Sequence, residues 1–358
     1  MATTAESRTM SSFVHEKSMF WWLLLWQAFA LTVMSIVFWY FKSKQRLQFS
    51  KKNTPSVFIT GCDSGFGKQL ALQLASESPE CNVIAGCLTT QGCAQLDSLL
   101  LPTLQTVQVD VTSEESVREA KRRVEKMLVN GEGLWGLVNN AGVASIPGAT
   151  DWMDKRDIVG CLNVNIIGLM DVTRQFLPLV KKAKGRIVNV SSINGRFGFG
   201  NSIYCASKFA VEGFSDSIRR ELASWGVQVA VIEPGFFRTS LTNNDDDRIV
   251  ESFLNRFNQL ERDNRALYLA YGSKFAEKNA KLLREHLSAQ RLNTNLRLVT
   301  NKMQHALFSK LPRTRYACGP DAKFFWIPMA MLPTAISDWI IGLALNKSCC
   351  PEGELWAL

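Results

Sequence analysis

Residues 56–67 read SVFITGCDSGFG, an apolar run followed by a glycine-rich turn, and a helical pattern continues at residues 68–71 with KQLA. Glycines between a strand and a helix let the backbone approach a pyrophosphate at the positive N-terminus of the helix, where free amide groups point outward. A glycine-rich turn alone also fits an ordinary tight turn, but the strand before it and the helix after it favour a dinucleotide site. The stretch therefore predicts a Rossmann-type βαβ unit.

Further short apolar runs, separated by helical patterns, follow this unit along the chain. They lie at residues 83–85, 107–109, 137–138, 187–190 and 229–232. Parallel strands need crossover connections, and the helices of those connections cover both faces of the sheet. We therefore expect an α/β fold with a doubly wound parallel sheet of the Rossmann type, forming a single domain over residues 55–320.

The composition of the chain argues against several other classes of protein. With 358 residues and 46% hydrophobic content, the chain can build one large domain with a terminal extension. Its formal net charge of +9 would suit nucleic acid or a membrane surface, but the folded part has no basic patch interleaved with aromatic residues, so we expect no nucleic-acid partner. The nine cysteines are scattered and the three histidines lie far apart, so we expect no metal site.

An uncharged stretch rich in Trp, Leu, Phe and Val covers residues 19–41. As a helix rising about 1.5 Å per residue, it would reach across a hydrocarbon core of about 30 Å. The basic residues within residues 42–54 outnumber Arg8 and Lys17, which by the positive-inside tendency places the rest of the chain in the cytosol. We therefore predict an N-terminal extension over residues 1–18, then a single transmembrane helix, then a basic linker.

A second apolar stretch lies in the C-terminal segment, residues 321–358. It contains Pro328, Pro333 and Asp338, which interrupt helical hydrogen bonding or place a charge against lipid. We expect this segment to associate with a membrane without spanning it. An ordinary core helix is the alternative.

A second group of polar residues falls between the fifth and the sixth apolar run. Ser191 and Ser192 follow the fifth run, and Tyr204 and Lys208 stand four residues apart farther on. In a helix, residues at i and i+4 share a face, so the phenol and the ammonium would lie together. A nearby cation favours the phenolate and lowers the pKa of a tyrosine from about 10, as a general acid/base for an alcohol requires. Without the other motifs, this would be an ordinary surface pair.

These motifs occur together in the order that marks the short-chain dehydrogenase/reductase family, which the chain resembles from about Ser56 onward. The shared positions are the glycines of residues 61–67, Asp110, the NNAG of residues 139–142, Asn165, Ser192, Tyr204 with Lys208, Pro234 with Gly235, and Thr239. More narrowly, residues 60–67, 219–222, 233–239 and 312–316 are similar to the microsomal retinol and hydroxysteroid dehydrogenases. That subgroup also has an N-terminal membrane anchor.

The resemblance implies a role for each of four catalytic residues. Tyr204 would take the hydroxyl proton during oxidation, and Lys208 would hold the nicotinamide ribose and tune Tyr204. Ser192 would hydrogen-bond the substrate oxygen, and Asn165 would order a water that relays protons. Ser192 lies twelve residues before Tyr204, a spacing that resembles the retinol-type subgroup, whereas Ser191 would restore the thirteen of many other members. We choose Ser192 and keep Ser191 as the alternative.

The resemblance also implies a nicotinamide cofactor. The implied cofactor-binding residues are Gly61, Ser64, Gly65, Phe66, Gly67, Asp110, Asn139, Ala141, Gly142, Tyr204, Lys208, Pro234, Gly235 and Thr239. Of these, Asp110 would contact adenine, Asn139 the region of the adenine ribose, and Thr239 the nicotinamide carboxamide. The second strand ends at residues 87–90, CLTT, with neither an acid for a ribose 2′-hydroxyl nor an arginine for a 2′-phosphate. The subgroup favours NAD, and NADP remains open.

Together these features predict a membrane-bound oxidoreductase of the endoplasmic reticulum that acts on a lipophilic alcohol such as a retinol or a hydroxysteroid. Substrate specificity would depend on a loop at about residues 236–271, and a homodimer is left open. One alternative is a 3-hydroxybutyrate dehydrogenase, which looks similar at residues 61–67, 136–142 and 336–338. The other is a catalytically silent nucleotide-binding protein on a membrane.

Overall fold

The computed structural model describes residues 21–22, 25–40, 42, 54–77, 81–128, 131–144, 148–239, 246–269, 274–281 and 292–346. Within them, seven strands form one sheet. They are β1 (Ser56–Thr60), β2 (Asn82–Cys87), β3 (Leu104–Gln108), β4 (Gly136–Asn139), β5 (Arg186–Val190), β6 (Gln228–Pro234) and β7 (Arg315–Cys318). The strands pair in parallel in the order β3-β2-β1-β4-β5-β6-β7. The predicted Rossmann-type parallel sheet is confirmed.

The seventh strand was not predicted. Residues 315–318 alternate between half-buried and buried side chains, as an edge strand does. They therefore lack the continuous apolar run that marks the strands buried on both faces, such as β1 and β5.

Helices flank the sheet. They are α1 (Gly65–Glu77), α2 (Thr90–Asp97), α3 (Glu114–Met127), α4 (Lys155–Leu162), α5 (Leu169–Ala183), α6 (Ser202–Glu221), α7 (Asp246–Asn258), α8 (Arg262–Leu269), α9 (Arg297–Phe308), α10 (Ile327–Ala330) and α11 (Thr334–Asn346). Helices α3, α5 and α6 bury apolar side chains against the strands, with the rings of Phe58 and Phe176 stacked at 4.8 Å. Helices α1 and α9 are joined through Gln73, whose Nε2 donates to Asn301 Oδ1 at 2.7 Å.

The strand order reverses between β1 and β4, which are neighbours in the sheet although two strands separate them in sequence. Ligands of such sheets bind outside the carboxyl ends of the strands at this point. The two turns that leave β1 and β4 are tied together there. Thr60 Oγ1 accepts hydrogen bonds from the N–H groups of Asn140 and Ala141, and Asn140 Nδ2 donates to the carbonyls of Thr60 and Gly61 at 2.9 and 3.1 Å.

The segment expected to be a substrate loop, residues 236–271, contains the two helices α7 and α8. We call residues 149–157, 246–269 and 274–281 the aromatic lobe, because Trp152 packs there against Phe253, Phe257 and Tyr268 with ring centroids 4.9 to 5.4 Å apart. The apolar residues of α7 recur three and four positions apart, which is the spacing of a helix that packs on one face. The expectation of a loop overlooked that pattern.

At the N-terminal end, residues 25–40 form a helix with exposed apolar side chains. Among the described residues, no helix combines the length and the apolar character needed to cross a bilayer. The predicted extension, most of the predicted basic linker, and residues 19, 20, 23, 24 and 41 of the predicted transmembrane helix lie outside the described residues.

In the C-terminal segment, the two prolines lie differently. Pro333 directly precedes α11, whereas Pro328 lies inside a helical stretch in which a π-helical segment, Ala322–Trp326, continues into α10. Residues 347–358 lie outside the described residues.

Candidate active site

A cavity of about 490 Å³ opens at the carboxyl ends of the central strands. Most of the residues predicted for the site line it, namely Gly61, Ser64, Gly65, Phe66, Asp110, Ala141, Gly142, Ser192, Tyr204, Lys208, Pro234, Gly235 and Thr239. They come from turns that follow different strands and from helix α6, so the parallel sheet brings together residues that are up to 178 positions apart, from Gly61 to Thr239.

Three predicted residues lie behind the cavity lining. Gly67 is buried in the first turn of α1. Asn139 is buried at the end of β4, where its Nδ2 donates to Thr173 Oγ1 and Asn189 Oδ1 at 2.9 and 2.8 Å. Asn165 is the third. Asn140, the residue after Asn139, lines the cavity in its place. Successive side chains of a strand point to opposite faces, so a shift of one residue decides which side chain faces the cavity.

The glycine-rich turn fits a nucleotide pyrophosphate. Gly61 has a φ of +71°, and a Cβ atom there would lie 2.8 Å from Ala141 Cα. A Cβ atom on Gly67 would lie 2.5 Å from Asn140 Nδ2. The two turns therefore approach each other too closely for side chains, and α1 begins at the cavity with its free amide groups. The backbone itself forms a cradle suited to an anion.

Tyr204 and Lys208 lie one turn apart in α6, as their spacing predicted. The helix begins after Asn201, whose Oδ1 accepts a hydrogen bond from Tyr204 N at 3.0 Å. Lys208 Nζ lies 5.6 Å from the centroid of the Tyr204 ring and donates to Val190 O at 3.1 Å. The Ser192 side chain is hydrogen-bonded to the Tyr204 phenol. Ser191 Oγ instead donates to the backbone carbonyl of Lys208 at 3.3 Å.

The pKa of Tyr204 differs from the expectation based on the neighbouring cation. Burial raises the pKa of Tyr204 to about 12, and the hydrogen bond with Ser192 opposes that rise. Burial also lowers the pKa of Lys208 to about 8. The charge of Lys208 would by itself favour the phenolate, but desolvation of the phenol is the larger effect here. At neutral pH the phenol therefore holds its proton.

Asn165 lies in a π-helical segment, Asn163–Gly168, that joins α4 to α5. Its Oδ1 accepts from Val143 N at 2.8 Å, and its Nδ2 donates to Val143 O and to Ser207 Oγ, both at 2.9 Å. Ser207 Oγ in turn donates to Tyr204 O at 2.7 Å. The buried amide thus joins the turn after β4 to the helix of Tyr204. A π-bulge at such a point is frequent at functional sites.

A group of ion pairs that the sequence analysis missed holds α6 against the sheet. Arg315 of β7 pairs with Glu212 and, at 2.9 Å, with Asp216, one and two turns after Lys208. It also contacts Glu233 of β6 at 3.1 Å. The sequence carried one sign of this group of ion pairs: Glu212 and Asp216 stand four residues apart on a helix that also carries buried apolar residues.

Comparison with known proteins agrees with this geometry. The family model described as short chain dehydrogenase matches residues 55–249. Retinol dehydrogenase 16 of Rattus norvegicus is 48% identical over 79% of this chain and 86% of its own length, and 17-beta-hydroxysteroid dehydrogenase type 6 of Bos taurus is 44% identical over 89% and 96%. A short chain dehydrogenase/reductase from Burkholderia phymatum, solved in complex with NAD, superposes with a TM-score of 0.61 at 19% identity, over 87% of this chain and all of the other.

The chain therefore belongs to the short-chain dehydrogenase/reductase family and is an oxidoreductase that uses a nicotinamide cofactor. Within the family, it falls in the subgroup of the retinol dehydrogenases and 17-beta-hydroxysteroid dehydrogenase type 6.

Proposed function

We propose that this protein interconverts a lipophilic alcohol, of the retinol or hydroxysteroid kind, and its carbonyl product at a membrane, with Tyr204 as the general acid/base. One observation carries the proposal: the Tyr204 phenol is hydrogen-bonded to Ser192 and stands one helical turn from Lys208, and all three line the cavity of the glycine-rich turn. A proton donor, a second hydroxyl and a cation thus face the same space.

In alcohol oxidation, the substrate carbon loses a hydride and its oxygen loses a proton. A nicotinamide ring, when bound, supplies the hydride acceptor. Tyr204 exchanges the proton with the substrate oxygen, which Ser192 orients, and Lys208 keeps a positive charge near the phenol. Because Tyr204 holds its proton at neutral pH, it is ready to donate in carbonyl reduction. Oxidation needs the phenolate, so we expect the oxidation rate to rise with pH up to about pH 8, where Lys208 begins to lose its charge.

The apolar part of the cavity supports a lipophilic substrate. Ile193, which follows Ser192 in sequence, and Phe236 line it. Both pack in a cluster around Trp326, whose ring lies 5.9 Å from that of Phe236. A wall of this kind offers apolar area and few hydrogen-bond partners, as a retinoid or steroid requires. The names of the similar dehydrogenases agree with this choice.

Activity measurements on the full-length protein in detergent test the proposal. The protein is offered NAD and NADP with a panel of retinoids and steroids, and with 3-hydroxybutyrate. We expect turnover of a retinoid or steroid, and we expect Tyr204→Phe to lower kcat by about 10²-fold or more. The control is Tyr268→Phe, which removes a phenol that donates to Asp151 in the aromatic lobe and should leave kcat unchanged.

Three results would contradict the proposal. Full activity of Tyr204→Phe would exclude the acid/base role. Turnover of 3-hydroxybutyrate alone would favour the alternative dehydrogenase. Nucleotide binding without turnover of any alcohol or carbonyl would favour a silent binding protein.

The membrane part of the proposal concerns the two apolar ends of the chain. The N-terminal helix and the C-terminal segment both expose large apolar side chains, including Trp26, Phe324 and Trp339 at 66%, 81% and 64% exposure. Such exposed area supports insertion into lipid. We expect the full-length protein to stay with microsomal membranes in alkaline carbonate and its catalytic body to be digested by protease in intact microsomes. Release by carbonate would contradict attachment, and protection from protease would reverse the orientation.

A further inference from the structure

The end of β2 is the place where many dinucleotide-binding sheets carry the acid that holds the adenosine ribose. This chain has Leu88 and Thr89 there, and neither is acidic. In the structure, an acid from a different turn, Asp63, lies at the end of β2. The carboxylate of Asp63, in the glycine-rich turn after β1, accepts from Leu88 N at 2.7 Å, from Thr89 N at 3.0 Å and from Thr89 Oγ1 at 2.6 Å. All three residues line the cavity.

The surroundings of Asp63 fix its carboxylate in this position. Thr89 is the N-cap of α2 and accepts from Gly92 N at 2.9 Å. A Cβ atom on Gly92 would lie 2.9 Å from Asp63 Cγ, so only a glycine leaves room for the carboxylate. The three donors use part of the roughly four lone-pair directions of a carboxylate, and one remains for a ligand hydroxyl.

Among the described residues, the basic side chains of the cavity and of the nearby surface already have partners, so none is left to hold a phosphate. Of the described residues that line the cavity, Lys208 is the only basic one, and its Nζ is bound to Val190 O at the end of β5. Asp110 adds a second acid to the same cavity. On the nearby surface, Lys68 Nζ is bound to Gln95 Oε1 at 3.0 Å and Arg123 is paired with Glu119 at 3.2 Å.

We propose that Asp63 selects the coenzyme. Its carboxylate accepts a hydrogen bond from the 2′-hydroxyl of the adenosine ribose in NAD and repels the 2′-phosphate in NADP. The inference rests on the proposed nicotinamide site but not on the identity of the alcohol. It assigns to a residue of the glycine-rich turn the role that the sequence of β2 left without a candidate.

Binding of two nucleotide fragments to the full-length protein tests this role without any turnover. ADP-ribose and 2′-phospho-ADP-ribose are titrated by calorimetry at low salt. We expect the wild-type protein to bind ADP-ribose at least about tenfold more tightly. We expect Asp63→Asn to reduce that ratio by about tenfold, mainly because binding of the phosphorylated fragment improves. Asp63→Ser removes the charge with a smaller side chain and serves if the first variant does not fold.

Two control variants separate the charge from the shape of the turn. Asp97→Asn removes a carboxylate that also accepts from a threonine, Thr106, but that does not line the cavity, so the ratio should not change. Thr89→Ala keeps the charge of Asp63 but removes one of the donors that fix its carboxylate, so the ratio should fall less than in Asp63→Asn. Equal binding of the two fragments by the wild-type protein, or an unchanged ratio in Asp63→Asn, would overturn the inference while leaving the dehydrogenase function intact. Binding of neither fragment would overturn the nicotinamide site itself.

Discussion

The nucleotide cavity and the aromatic lobe hold their shapes by different interactions. In the cavity, the turns after β1 and β4 approach so closely that glycines and short polar side chains such as Thr60 and Asn140 are required. In the lobe, Trp152 and the aromatic rings of α7 and α8 are held by apolar contact. Close backbone approach admits few residue types, whereas apolar contact admits many.

This difference explains why one region had a residue-specific motif in the sequence and the other had only the apolar periodicity of a helix. A glycine that must fit against a neighbouring turn has a fixed position, so the spacing of residues 61–67 predicted the turn. An aromatic ring in a cluster can be replaced by another large apolar residue in a slightly different place. The predicted catalytic residues therefore lie in the region where close backbone approach constrains the sequence.

The largest effect is expected in the lobe. Trp152→Ala should lower the free energy of unfolding by about 3–5 kcal/mol, because it removes a buried ring from the centre of the cluster. Trp225→Ala is the control, since Trp225 is half exposed and contacts Lys181 Nζ, and its effect should stay below about 1 kcal/mol. Urea denaturation measures both.

The same variant tests whether the two regions are independent. No described residue of the lobe lines the cavity, so folded Trp152→Ala should bind ADP-ribose as the wild-type protein does. A parallel loss of nucleotide affinity would show that the lobe and the cavity form one cooperative unit.

The second prediction concerns the cavity. Gly67→Ala would place a methyl group against the carbonyl oxygen of Gly61 and 2.5 Å from Asn140 Nδ2, which would distort the glycine-rich turn and push it away from the turn after β4, at a cost of about 1–3 kcal/mol. Affinity for ADP-ribose should fall by about tenfold to a hundredfold as a result. Gly160→Ala, in α4, is the control, because a Cβ atom there meets nothing within 4 Å. Unchanged affinity in Gly67→Ala would mean that close approach does not shape this region.

Features that depend on local sequence were predicted, and contacts between residues distant in sequence were not. Five of the first six strands were predicted because each is a short apolar run with both faces buried, whereas β3 is an edge strand and was predicted from Val107 and Val109. Tyr204 and Lys208 were predicted as neighbours because four residues make about one helical turn. The contact of Asp63 with Leu88 and Thr89 was not predicted, since these residues are 25 and 26 positions away in sequence. Nor could Arg315 be paired with Glu212 before the fold brought β7 beside α6.

A third prediction uses the buried ammonium of Lys208. Its pKa is about 8 in the folded protein, against an ordinary value of 10.5. Between these values, the unfolded chain holds the proton and the folded protein does not, so the free energy of unfolding rises with pH. From pH 7 to pH 9, the wild-type protein should gain roughly 1–2 kcal/mol relative to Lys208→Met.

The comparison with Lys208→Met is needed because other groups titrate in the opposite sense. Burial raises the pKa of the Cys81 and Cys318 thiols to about 12, so they lower stability as the pH rises above 9. They are present in both proteins and cancel in the difference. A difference in unfolding free energy that does not change with pH, measured by urea denaturation, would show that Lys208 is not desolvated as its surroundings imply.

The smallest expected effect separates two adjacent serines of the cavity. Ser191 Oγ donates to the carbonyl of Lys208, whereas Ser192 is the serine that is hydrogen-bonded to Tyr204. Ser191→Ala should therefore cost about 1 kcal/mol of stability, because it removes one neutral hydrogen bond to the backbone. It should leave kcat within about twofold of the wild-type value, because it removes no contact with the reacting oxygen. A loss of about 10²–10³ in kcat, as expected for a donor to the reacting oxygen, would move the substrate contact to Ser191. The spacing to Tyr204 left both serines open, and this variant decides between them because one serine stabilises the helix of Lys208 and the other contacts the phenol.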